Sequence, residues 1–142
     1  MNIKQFFHYV SYLQYPMMAV GLYFVLQPYF NDFNEMFNSL NRALVFVGLG
    51  ISLSTLQDTT KTQNEASRKI WESPKKGKLF LILMSAMTLF FIVSGLFGIF
   101  ASEEAILSEL SLGLVVIGIG FLGILKAGSE MFENHRLDKN PN

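Results

Sequence analysis

Six side chains have the types that bind ions or move protons, and they fall where one membrane edge would gather them. His8 and Tyr12 lie one helical turn apart near the start, in a face that also holds Ser11 and Tyr15. Gln57 and Asp58 follow the hydroxyls of Ser52, Ser54 and Thr55, with Thr59 just beyond. Lys126 and Glu130 have the i, i+4 spacing of a helical ion pair. Brought together, these groups would line a water-filled vestibule able to hold a cation or a small solute. The plainer reading places each of them at headgroup level, where a polar side chain costs little.

Other chemistry finds little support. Glu109, in AILSELSLGLVV, would mark a function if it lay within the bilayer. Ser108 and Ser111 beside it fit the outer interface as well. Glu130, Glu133 and His135 are spaced Glu-x-x-Glu-x-His, whereas a diiron bundle wants Glu-x-x-His on each of two helices. No metal site or cofactor is expected. Absence of cysteine excludes disulfides and thiolate zinc sites. There is no Gly-x-Ser-x-Gly and no spacing suited to a catalytic triad. Gly118, Gly120 and Gly123 match the dinucleotide-binding glycine spacing, but no strand precedes them. The expectation is therefore a protein without catalytic residues.

The elements that must position these groups are apolar. The 142 residues suit one domain; 51% are hydrophobic and only 15% are charged, against roughly 25% in a soluble domain. Mean hydropathy is +0.35. Four stretches read as spans. The first runs from about Phe7 to Gln27, with a kink expected at Pro16 and tyrosines at both ends, as in interfacial belts. Between it and the second, Phe30, Phe33, Met36 and Phe37 recur at near-helical spacing, as in a short amphipathic turn.

The second span starts around Asn38 to Arg42. Its apolar part, Ala43 to Leu56, is roughly 21 Å long at 1.5 Å per residue, short of a hydrocarbon core. Its helix is expected to continue past Asp58 into the cytosol, with a Glu65–Lys69 pair, an anchor at Trp71 and a stop at Ser73-Pro74. The third span, about Lys78 to Ala101, is free of charge after Lys78. The fourth runs from about Glu103 to beyond Glu133, with Ser102 as N-cap. The fold expected is all-α, a polytopic four-helix membrane bundle. It consists of hairpin 1–60, a basic segment 61–78, hairpin 79–130 and a tail 131–142.

Charge placement orients it. Lys61, Arg68, Lys69, Lys75, Lys76 and Lys78 crowd the middle segment. With Lys4, Lys126, Arg136 and Lys139 they put ten bases on one side, and Arg42 alone faces the other. That bias makes the crowded side cytoplasmic, with both termini inside. Net charge is zero, which leaves no footprint for nucleic acid. The first apolar run is long, holds Pro16 and Pro28 and lacks a cleavage site, so it reads as a retained span. No lipidation motif is present.

Two stretches echo each other. ALVFVGLG from Ala43 and GLVVIGIG from Gly113 share four of eight residues at an offset of 70. Gly21-Leu22-Tyr23 and Gly95-Leu96-Phe97 align more weakly. Duplication would give a parallel repeat about the membrane normal, with Gly48, Gly50, Gly118 and Gly120 near its axis. The small alphabet of membrane helices is the other explanation. Gly48/Ser52, Gly50/Ser54, Ser94/Gly98 and Gly123/Ala127 are small-xxx-small pairs. They permit close helix packing within one chain or between copies in a homo-oligomer.

The runs STLQDTTKTQN and WESPKKGK and the tail MFENHRLDKN resemble those of small membrane proteins of Bacteroidota-type bacteria, and the Phe, Asn and Lys usage is similar. The resemblance implies a location, the bacterial inner membrane, and no activity. The function expected is a non-enzymatic structural or interaction subunit. Its partners would be the bilayer and a second copy or another membrane protein. The alternative is an oligomeric channel or transporter for small solutes using the inner polar cluster.

Overall fold

The computed structural model describes residues 2–31, 33–60, 64–100, 103 and 105–140, and among these it is helical without strands. Ser102 and Lys61 lie outside the described residues. The helices are α1 (Ile3–Ser11), α2 (Gln14–Phe30), α3 (Met36–Ser54), α4 (Glu65–Glu72), α5 (Pro74–Phe100) and α6 (Ala105–His135), with a 3-10 turn at Phe33–Glu35. Three stretches are long and apolar enough to cross a membrane: Phe33–Ser54, Pro74–Phe100 and Ala105–His135.

The irregularity expected at Pro16 lies one turn earlier, where Tyr12 and Leu13 keep helical backbone angles but join α1 to α2 through i→i+3 bonds. Proline has no N–H to give the carbonyl four residues back and its ring crowds that carbonyl. The carbonyl in question belongs to Tyr12, where α1 ends; it takes the Tyr15 N–H instead, at 3.1 Å. The helix of the second span also differs from expectation. It stops at Ser54 and does not run on past Asp58. Ser52, Ser54 and Thr55 turn their hydroxyls back onto the carbonyls of Gly48, Ile51 and Ser52. Asp58 then folds a turn by accepting the N–H and hydroxyl of Thr60. Such local bonds offer the backbone an alternative to further helix. A new helix, α4, begins after Asn64, whose side chain caps the Ser67 N–H at 2.8 Å.

Ser73-Pro74 is a boundary of two helices. Ser73 is extended and ends α4, and Pro74 opens α5 at the position where its missing N–H costs nothing. The ion pair on α4 is Arg68–Glu72, at 2.6 Å, and not the expected Glu65–Lys69.

The long helices pack in the order α2, α3, α6, α5. α2 and α3 are antiparallel: Ser39 bonds Gln27 at 3.3 Å, Phe46 stacks on Phe24, and Gly50 meets Met18. α5 and α6 are likewise antiparallel, with Gly98 at Leu107, Gly118 at Ile92 and Gly77 at Phe132. The inner pair, α3 and α6, run parallel. Their contacts advance together from Asn41–Gly113 through Gly48–Ile117 to Thr55–Gly123. α2 packs on α3 and α5 on α6, so these outer helices flank a central pair.

Candidate functional site

The helix ends nearest α4 converge on a cleft of about 440 Å³. Gln14 reaches it from the start of α2, Gln57 from the turn after α3, Phe80 from α5 and Ile124 from α6. Its wall is Trp71. The amphipathic α4 buries this indole to 6% exposure, with its N–H donated to Ser67 at 3.0 Å. Phe80 meets the ring edge-on at 5.2 Å. Gly128 makes room for it, since a Cβ there would stand 2.9 Å from the indole. Among the described residues no charged side chain lines the cleft.

Behind Trp71 this end of the bundle is latched. Phe132 is 4% exposed and lies over Gly77, where any side chain would strike its ring. Arg136 stacks on Phe132 at 4.9 Å and holds Asp138 through two bonds, at 2.8 and 2.6 Å. Those bonds keep the Asp138 carboxyl below the usual carboxylate range, against the opposing effect of desolvation. Lys139 pairs with Glu133. Leu137 donates its N–H to the Glu72 carbonyl at 3.2 Å, tying the tail to α4.

The six polar candidates divide. Gln57, Asp58, Lys126 and Glu130 border a second groove of about 320 Å³, together with Lys4 and Thr59. Here Lys126 meets Glu130 at 2.9 Å, and Thr59 donates to the other carboxylate oxygen at 3.2 Å. Asp58 is occupied by Thr60. His8 and Tyr12 stand apart from this groove; they pair with each other, Tyr12 Oη to His8 Nε2 at 3.3 Å, on the exposed face of α1. Only Gln57 borders both the groove and the Trp71 cleft among the six. Glu109 is exposed near the start of α6. Among the described residues no His, Asp or Glu cluster could hold a metal.

The glycine candidates divide too. Gly48 and Gly120 lie at the α3–α6 seam, and Gly123 faces Thr55 there. Gly50 and Gly118 instead face the outer helices, at Met18 and Ile92. The reason is helical phase: two residues apart is a rotation of about 200°, so both members of a Gly-x-Gly cannot face one neighbour. Gly21 and Gly95 do hold matching places, each against the inner helix of its own hairpin. Of the basic candidates, Arg68 is paired with Glu72. Lys69, Lys75, Lys76 and Lys78 are exposed, and Lys78 lies close enough to Asp138 to act on its charge.

The chain matches no family model, no curated protein and no solved structure. The site is therefore read from its own residues. Nothing in the sequence singles out the cleft's chief elements Gln14, Phe80 and Gly128, and Trp71 reads there only as an interfacial anchor. A usable signal was present: Ser67 stands four residues before Trp71, in reach of its indole N–H on a helix.

Proposed function

We propose that the chain is a four-span protein of the bacterial inner membrane, with both termini and α4 in the cytoplasm, and that it works without catalysis as an interaction subunit. α2 has 17 residues, the lower limit for a span. It lies along α3 from Gln27–Ser39 to Met18–Gly50. Wherever α3 crosses, α2 crosses beside it. The ten-to-one charge bias supports the orientation.

One observation carries the interaction reading. Lys69, Lys75 and Lys76 stand exposed and without ion pairs among the described residues, beside the α4–α5 boundary. Several unpaired bases at the foot of apolar helices form a surface for an acidic partner or anionic headgroups. A pore through one chain has no support, because the α3–α6 seam is closed by backbone contact at Gly48, Gly113 and Gly120. A channel would require several copies. Photo-crosslinking from Lys75 and Lys76 in native membranes tests the proposal. A discrete protein or lipid adduct is expected. A ring of four or more identical chains by native mass spectrometry, with solute flux lost in Asp58→Asn, would overturn it in favour of a channel.

A further inference from the structure

The Trp71 cleft sits at the level where α2 and α3 reach their inner ends and the apolar run of α5 begins, the boundary between hydrocarbon and headgroups. Among the described residues its lining is uncharged but not apolar. The side-chain amides of Gln14 and Gln57 and the Tyr15 hydroxyl have no hydrogen-bond partner among the described residues. A ligand that suits this lining is neutral, rich in acceptors and apolar at one end. Deeper in, Phe80 and Ile124 supply an apolar wall. Because α2 packs on α3 and α5 on α6, a lane stays open between the outer helices toward the bilayer. Below, Lys76 precedes Phe80 by one helical turn and is exposed.

We propose that this cleft binds one membrane phospholipid at its glycerol-ester level. The ester carbonyls accept from Gln14, Gln57 and Tyr15. An acyl chain passes Phe80 and Ile124 into the lane between α2 and α5, and the phosphate is left toward Lys76. The volume, about 440 Å³, lies in the usual range for a small-molecule site. A soluble neutral solute from the cytoplasm would fit the polar lining but would leave the apolar wall and the open lane without a role. This inference rests on the membrane reading above and does not depend on which side α4 faces.

Trp71 is the chain's one tryptophan, so its fluorescence reports the cleft wall alone. The full chain is reconstituted in vesicles of phosphatidylcholine and phosphatidylglycerol brominated near the ester end of the acyl chains. Bromolipid is expected to quench Trp71 while aqueous acrylamide leaves it protected. The quenching should be lost in Ala127→Phe, which fills the cleft, and weakened in the double variant Gln14→Leu, Gln57→Leu, which keeps side-chain size. Quenching unchanged in both variants would mean contact with bulk lipid and would overturn the site. Acrylamide quenching without bromolipid quenching would assign the cleft to an aqueous solute and overturn it too. A chain that washes off the vesicles would overturn the membrane reading itself, a distinct result.

Discussion

The side-chain oxygen of Asn41 accepts a hydrogen bond from the backbone N–H of Gly113 at 2.6 Å, joining two residues 72 apart in sequence. It links the first hairpin to the second in the half of the protein away from α4. A Cβ on Gly113 would lie 2.7 Å from both the Asn41 carbonyl and its side-chain oxygen. Interhelical hydrogen bonds in membranes contribute roughly 0.6–2 kcal/mol. Asn41→Leu should destabilise the folded chain by about that amount. Unfolding followed in mixed micelles by near-UV circular dichroism measures it.

Closer to the middle of the seam, a Cβ on Gly48 would stand 2.8 Å from the Val116 and Ile117 backbone. Backbone cannot swing aside as a side chain can, so Gly48→Ala must push α3 and α6 apart. A cost of about 1–3 kcal/mol is expected. Gly123→Ala meets only the Thr55 side chain, at 3.1 Å, and should cost less. Equal losses in the same unfolding assay would contradict the seam as described.

Phe132 fills the space over Gly77 and carries Arg136 on its outer face. Phe132→Ala should cost about 3–5 kcal/mol locally and release the inner ends of α5 and α6. Trp71 would gain access to water, so its emission should shift to the red. An unshifted emission maximum would separate the tail latch from the cleft.

The tail also responds to acid. Arg136 lowers the folded-state pKa of Asp138, so this pair's contribution is present above the ordinary carboxylate range. It is lost as pH falls through the depressed folded value. The Leu137 amide, bonded to Glu72, should keep its NMR shift down to about pH 4 and move only below that. In Asp138→Asn the acid-dependent movement should shrink to the part owed to Glu133, whose carboxyl Lys139 and Arg136 also hold low.

Parts of this architecture are legible in the residues themselves. The uncharged run after Lys78 announces α5, and Ser73-Pro74 announces the stop before it, because both follow from local chemistry; that Pro74 itself opens α5, four residues ahead of Lys78, is not announced. The end of α3 is less legible. Ser52, Ser54 and Thr55 could face inward on a longer helix or bend back on it, and composition does not choose between them. Pro16 signals a disruption but not that the helix tightens at Tyr12 and Leu13, one turn before the proline. Trp71 looks like an interfacial anchor because Gly128, which makes room for its burial, is 57 residues distant. Gly48 and Gly118 look equivalent in sequence, yet each faces the neighbour that its helical phase selects.

Four helices crossing the membrane, with the basic segment and both termini on one side, can be mapped directly. Because the chain has no cysteine, single substitutions Gln5→Cys, Asn34→Cys, Lys76→Cys, Glu103→Cys and Asn140→Cys give a clean map with a membrane-impermeant maleimide. Labelling is expected at positions 34 and 103 from outside intact cells, and at 5, 76 and 140 only after the membrane is opened. Labelling of position 5 from outside, together with 34, would mean that α2 does not cross and would contradict this topology.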